Sequence, residues 1–356
     1  MTKLSCEEIE HIVYSCFKVM GSSEQEAATI AAVFLSAEAR GIPSHGLVRL
    51  KDYYELWKSN RININPSIRI VHETPSTAVV DGDNAVGMIP AKFSMLKAIE
   101  KAKNVGTGWV ATRNSNHYGI AGYYSMMALE HDMIGICLTN ANPLVAPTLS
   151  VSRMLGTNPI AVAIPALIEP PFVADFATTP IARGKLNIAE KKGLKVPHGF
   201  VQNKYGEPSD DPAILKDGGA MLPLGGDYEH GSHKGYCLGS IVDIFSAVLS
   251  GANFGPFVPP SLAYLPLLDK KTGEGTGHFF GAMRIDAFQE AIHFKKMMDE
   301  WILTFRSAKP ANGIEKVMIP GDIERYKEVI AQKEGIEIIP QVWTDVLSVT
   351  TALGVK

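Results

Sequence analysis

Gly108-Trp109-Val110-Ala111-Thr112-Arg113-Asn114-Ser115-Asn116-His117-Tyr118-Gly119-Ile120-Ala121-Gly122 is the stretch whose reading decides the fold class. Its first part, Gly108 to Thr112, is a short β-rich run, and from Asn114 it becomes a polar turn of small residues that opens a helix. Upstream, a helix beginning near Pro90 carries Leu96, Ile99 and Ala102 toward the same core, with the proline where a missing N–H costs nothing. Further β-rich runs lie at Thr77 to Val80, Ile134 to Thr139 and Ile160 to Ile164. Strands alternating with helices in this way predict an α/β domain, placed at residues 69–285.

The flanks read differently. Ser5 and Ser23 each precede a glutamate, Glu8 and Glu26, at capping-box spacing. Ile9, Ile12, Val13, Cys16 and Met20 then line one helix face before Gly21, and Ala27, Ile30, Ala31, Phe34 and Ala37 line another before Gly41. Helical patterns return at Phe288 to Phe305 and Ile323 to Lys333, with a short strand expected at Lys316 to Ile319. Residues 1–68 and 286–356 are therefore expected to form a helical lobe beside the α/β domain. Residues 193–232 and 251–277 are rich in glycine and proline and read as long loops that supply one wall of a cleft.

Composition removes several function classes. An apolar share of 46% and a charged share of 20% are those of a globular protein, and a net charge of −3 gives no footprint for nucleic acid or an anionic membrane. Small-molecule chemistry is the expectation. Cys6, Cys16, Cys137 and Cys237 are scattered, without C-x-x-C spacing, so no disulfide framework or zinc site is expected. Neither a secretory signal pattern nor an apolar run of membrane-spanning length is visible, which reads as a cytoplasmic protein.

Four clusters can carry chemistry. Ser44-His45-Gly46-Leu47-Val48-Arg49, followed by Tyr53, lies beyond Pro43. If a helix starts there with Ser44 as its cap, His45 and Arg49 share a face. An arginine fork suits a carboxylate, and a neutral histidine suits the proton of a 2-hydroxyl group. The plain alternative is a cap, a packed histidine and a solvated arginine. Asn114 to Gly122 can bring backbone N–H groups to a phosphate, with His117 at the mouth of the cleft, or can simply be a polar turn. Gly156-Thr157-Asn158-Pro159 precedes Asp175, which follows the apolar run Phe172 to Ala174 and can accept ribose hydroxyls or cap its own turn. His230-Gly231-Ser232-His233-Lys234 opens an apolar helix. There Lys234 suits a pyrophosphate, while His230 and His233 lack a third ligand at metal-site spacing. The chain has no G-x-G-x-x-G and no Walker sequence, which argues against a Rossmann or P-loop site.

Taken together, Ser44-His45-Gly46 with Arg49, Asn114 to Gly119, Gly156 to Pro159, the Asp175 segment, His233 to Tyr236 and Pro320-Gly321-Asp322 resemble the malate/L-lactate dehydrogenase type 2 family, in order and through nearly the whole chain. The resemblance implies a homodimer with a non-Rossmann, mixed-sheet NAD(P)-binding domain and an active site near the boundary of lobes and subunits. It implies that Ser44 and His45 form a proton-relay pair, that Arg49 anchors the carboxylate, and that Tyr53 and Thr157 contact substrate. It also implies that His117, Tyr118, Gly119, Ile120, Ala121, Asp175, Phe176, Ala177, His233, Lys234, Gly321 and Asp322 surround the cofactor. His117 is the base in parts of that family, so the choice between His45 and His117 stays open. Two departures stand out: Pro-Gly-Asp where the family usually has Pro-Gly-Glu, and a longer loop from Pro256 to Gly277.

The expected activity is hydride transfer between a small 2-hydroxy acid, malate or L-lactate, and NAD, with NADP possible. Asp175 leans toward NAD, because a carboxylate repels a 2′-phosphate. The competing readings are a metal-dependent lyase or aldolase using His230 and His233, and a metabolite-binding protein without turnover.

Overall fold

The structure, a computed structural model, describes residues 2–355. The chain opens with β1 (Thr2–Leu4), α1 (Cys6–Met20) and α2 (Glu24–Ala39). Both helices start at capping boxes: the Ser5 and Ser23 hydroxyls accept the N–H groups of Glu8 and Glu26, whose carboxylates accept the serine N–H groups in return. Gly21, at φ 111°, supplies the left-handed turn that closes α1. Two 3-10 turns, Pro43–His45 and Leu47–Arg49, then lead into α3 (Leu50–Lys58).

Next come β2 (Arg69–Glu73), β3 (Thr77–Asp81), α4 (Met88–Val105), β4 (Thr107–Ser115), α5 (Ala121–Met126), β5 (Met133–Thr139), β6 (Ile160–Ile164) and β7 (Phe172–Phe176). After α6 (Arg183–Lys191) there are three two-residue strands, β8 (Val201–Gln202), β9 (Pro208–Ser209) and β10 (Ala220–Met221). α7 (Ser232–Asp243) continues through a π-helical turn, Ile244–Val248. β11 (Thr276–Arg284), α8 (Ala291–Arg306), α9 (Asp322–Glu334), β12 (Ile336–Ile338) and α10 (Pro340–Leu353) complete the chain.

Seven strands form one mixed sheet in the order β2-β3-β4-β11-β5-β6-β7. Only β3 and β4 run parallel, and every other neighbouring pair is antiparallel. A doubly wound Rossmann sheet is mostly parallel, so this is a different architecture. β11 inserts between β4 and β5, joining residues far apart in the chain. α4 and α5 cover the sheet, and Met95, Val110, Tyr118, Tyr124 and Phe280 are buried in the same cluster as Phe17, Phe34 and Tyr53 of the N-terminal helices. Burying one such side chain contributes about 1.5–3 kcal/mol, so this shared cluster holds the helices firmly to the sheet. β1 pairs with β12, which brings the two chain ends together.

Two expectations need correction. Residues 193–232 are not a bare loop, because β10-β8-β9 form a small sheet with its own core of Val145, Leu155, Leu186, Val201 and Met221. No strand forms at Lys316 to Ile319: the Ile319 N–H goes to Asp322, and Pro320 has no N–H to give a ladder. α8 docks on the β6–β7 connection, where Asp299 accepts the N–H groups of Leu167, Ile168 and Glu169 and Trp301 meets Phe172 edge-on.

His278 staples the centre of the sheet. From β11 its Nε2 lies 2.7 Å from Ser115 Oγ on β4, its Nδ1 lies 2.7 Å from Thr139 Oγ1 on β5, and its ring stacks on Tyr118 at 4.6 Å. Burial lowers its pKa from 6.5 to about 3, so the imidazole is neutral in the fold. The unfolded chain therefore binds this proton first, and the His278 contribution is full above pH 6.5 and lost as pH falls from there toward 3. His278→Phe removes the ring's two hydrogen bonds, while Thr139 keeps the Asn140 and Gly277 carbonyls and Ser115 that of Asn116, and is expected to cost about 1–3 kcal/mol at neutral pH. Urea unfolding at pH 7 and pH 5 checks both statements, since the variant should also lose less stability than the natural protein on acidification.

Candidate active site

The Ser44–Arg49 segment does not begin a regular α-helix, and Ser44 does not cap one: the chain makes two successive 3-10 turns before α3. Ser44 Oγ instead lies 2.9 Å from His45 Nδ1, and the Ser44 carbonyl accepts Arg49 Nε–H at 2.9 Å. Arg49 Nη1 also meets Asp52 Oδ2 at 3.1 Å, so the guanidinium is held on two sides. His45 and Arg49 are thus gathered by the tight turns rather than by a four-residue helical repeat.

His117 comes to the same place from the turn after β4. Tyr53 Oη lies 2.6 Å from His117 Nδ1 and 3.0 Å from the His117 carbonyl. One proton arrangement satisfies both contacts: Tyr53 donates to the carbonyl and Nδ1–H donates to Tyr53, leaving Nε2 as a free acceptor. The His45 and His117 rings stack at 5.4 Å. Burial, with Arg49 adding to it, lowers His45 to about 3, while burial, Arg49 and the neighbouring histidines hold His117 well below its usual range. Both rings are neutral at neutral pH. A small pocket is lined by Arg49, Asp52, Tyr53, Leu56, His117 and Ser261, so His117 borders it together with the guanidinium.

The residues expected around a cofactor fall into three places. Gly119 has φ 83°, and a Cβ there would stand 2.5 Å from Val33, so glycine is required. Tyr118, Ile120 and Ala121 are buried supports of this turn. The N–H of Gly122 goes to Asp175 Oδ2 at 2.7 Å, so the anion at this helix start is the protein's own carboxylate and not a phosphate. Asp175 lies within β7 rather than after it, with Phe176 and Ala177 following. Desolvation raises its carboxyl to about 6, against the pull of the Gly122 N–H and Arg40, and it carries charge at pH 7. Thr157 adjoins this edge, its carbonyl accepting the Thr178 N–H at 2.9 Å, but no hydrogen bond joins it to Arg49 or His117.

Gly321, at φ 99°, packs against Val173 of β7, and the Pro320 carbonyl accepts the Val173 N–H. Asp322 turns back on the protein: it accepts the Ile319 N–H at 2.9 Å and pairs with Arg325 at 2.7 Å and with Arg306. Those partners outweigh burial and keep its carboxyl below the usual range, so it is a structural acid rather than a free group at the site. His233 and Lys234 are exposed at the start of α7, next to Leu224, whose N–H goes to the Thr178 carbonyl. An acid able to take ribose hydroxyls and a free lysine able to meet a pyrophosphate are the donor set a dinucleotide needs. His230 is engaged by Asp227 at 2.7 Å.

Two supporting acids escape a reading by clusters. Asp52 stands three residues after Arg49, a visible ion-pair spacing. Glu38 stands four residues after Phe34 on the apolar stripe of α2, and a charge on that stripe is the signal that would have found it. It is buried, its Oε1 accepts the Leu47 N–H at 2.7 Å, and a Cβ on Gly46 would stand 2.2 Å from the same oxygen. Burial raises Glu38 to about 7. Glu38→Ala, which frees the turn carrying His45 and Arg49, is expected to lower kcat/KM about 100-fold, with Glu38→Gln recovering most of it by keeping an acceptor. Steady-state kinetics on the two variants checks this, and equal losses would deny the positioning role.

The chain matches, over residues 4–347, the family described as malate/L-lactate dehydrogenase. It is 40% identical over 354 residues to the malate dehydrogenase of Pyrococcus abyssi, covering 98% of this chain and 94% of that one. It is 38% identical over 353 residues to the L-sulfolactate dehydrogenase of Methanocaldococcus jannaschii, covering 99% and 98% of the two chains. The solved structure of malate dehydrogenase from Pyrococcus horikoshii superposes with a TM-score of 0.90 at 35% identity, covering 100% of this chain and 96% of that one.

Proposed function

Because the chain belongs to the malate/L-lactate dehydrogenase family and is an oxidoreductase of 2-hydroxy acids, we propose that it interconverts malate and oxaloacetate with NAD, at the pocket between Arg49 and His117. The observation that carries this reading is the pairing of a fixed guanidinium with a neutral imidazole whose Nε2 is free. Arg49 holds the substrate carboxylate through its unused N–H groups. His117 takes the hydroxyl proton on oxidation and returns it on reduction, and Tyr53 keeps its ring and tautomer fixed. His45, backed by Ser44, stacks on His117 and shares the relay. The nicotinamide, when bound, accepts or supplies the hydride. Asp175, His233 and Lys234 face the dinucleotide, with Asp175 favouring NAD over NADP by charge repulsion.

Ile241, Ile244, Phe245, Val248 and Leu249 form an exposed apolar face on α7 and its π-helical extension, which supports a homodimer. Four free cysteines support a reducing compartment, the cytoplasm, and among the described residues no helix is long and apolar enough to cross a membrane. The lyase reading finds no support among the relatives, which are dehydrogenases. Nicotinamide absorbance with oxaloacetate and pyruvate, each with NADH and with NADPH, tests the proposal. Consumption fastest with NADH and oxaloacetate is expected, and no consumption by folded protein with any pair would end it.

A further inference from the structure

The first turn of α6 lies against the site. A Cβ on Gly184 would stand 3.0 Å from the Cβ of Ser44, so α6 begins directly beside the turn that carries His45 and Arg49. Arg183, the residue before, is half-buried, and its positive charge is felt by Asp52, the carboxylate that orients Arg49. Every other arginine that is buried or half-buried is committed: Arg40 to Glu328, Arg61 to backbone carbonyls, Arg306 to Glu169 and Asp322, and the rest likewise. No hydrogen bond or ion pair joins the Arg183 side chain to any described residue.

Its surroundings favour an anion. Arg153 stands close enough for the two guanidinium charges to oppose each other, and Arg153 is already tied to the Gly219 and Leu215 carbonyls. Two like charges in a partly desolvated place are unfavourable until a negative group arrives. Asp52, which feels the Arg183 charge, borders the pocket where Arg49 would meet one carboxylate, so Arg183 lies on the α6 side of that pocket.

We propose that Arg183 binds a second anionic group of the substrate, a carboxylate or sulfonate, and makes the protein selective for 2-hydroxy diacids over lactate-like monoacids. The inference rests on the dehydrogenase reading above. A methyl group in place of the second anion leaves the guanidinium unpaired, and losing one charged hydrogen-bonding contact of this kind changes kcat/KM about 10- to 100-fold.

The test compares kcat/KM for oxaloacetate and for pyruvate, both with NADH, in the natural protein, in Arg183→Gln and in Arg183→Lys. The natural protein is expected to prefer oxaloacetate. In Arg183→Gln the oxaloacetate-to-pyruvate ratio falls about 10- to 100-fold, and Arg183→Lys recovers part of it. A ratio unchanged in Arg183→Gln, or a natural protein that prefers pyruvate, overturns this inference and leaves the dehydrogenase reading standing. Turnover of neither acid by the folded natural protein overturns both.

Discussion

Arg49→Lys raises the KM for a 2-oxo acid by about 100-fold and leaves the Kd for NADH within about twofold. The reason is geometric. Arg49 spends Nε–H on the Ser44 carbonyl and one Nη1–H on Asp52, and its remaining donors border the pocket as a planar fork. A lysine ammonium is a single point, and beside Asp52 it settles on that carboxylate instead of reaching a substrate. The effect belongs to substrate alone, because Asp175, His233 and Lys234 lie on other elements. Steady-state kinetics with an independent NADH titration separates the two affinities. Matching losses in both would indicate a damaged fold, and no loss would remove Arg49 from the carboxylate's place.

His117→Ala lowers kcat by about 10²- to 10⁴-fold, the usual range for removing a positioned acid or base, with little change in NADH affinity. Tyr53→Phe gives a smaller loss of the same kind, since it frees Nδ1 to choose its tautomer while the ring stays packed. The direction of the His117 shift bears on the pH profile. Its pKa lies well below 6.5, so the base form is present throughout the neutral range, and oxidation of the hydroxy acid should not fall off until the solution is distinctly acid. His45 stacks on His117 without bordering the pocket, and His45→Ala is expected to cost less than His117→Ala. A larger loss in His45→Ala would reverse the two roles.

What could be read in advance differs from element to element. The capping boxes at Ser5 and Ser23 and the stop at Gly21 were legible because each is decided within four residues by local hydrogen bonds. The run Gly108 to Thr112 was legible as a strand, but its partner β11 was not, since pairing across more than a hundred residues leaves no trace in local periodicity. The small sheet in residues 193–232 was missed for the same reason: its strands are two residues long and held by contacts with distant segments such as Val145 and Leu155.

At the site, Ser44, His45, Arg49, Tyr53 and His117 were singled out as residues, and the structure gathers all five. The family resemblance makes Tyr53 a substrate contact, whereas in the structure its hydroxyl is spent on His117. The means of gathering was not readable. Ser44 as a cap predicts a helix after Pro43, yet the buried Glu38 carboxylate takes the Leu47 N–H and the segment folds into 3-10 turns. The motif alone places Asp322 at the cofactor; its bonds to the Ile319 N–H and to Arg325 have a readable three-residue spacing, and only Arg306 is brought to it by the fold.

The central claim is that hydrogen passes from the 2-carbon of a hydroxy acid to the nicotinamide ring at this site, and deuterium transfer tests it most directly. Malate carrying deuterium at the 2-carbon is incubated with the protein and NAD, and the reduced cofactor is weighed by mass spectrometry. The account predicts that the label moves into the cofactor and that the Arg49 and His117 variants form labelled product far more slowly. Label released to water, or retained in the carbon product formed as malate is consumed, would contradict it.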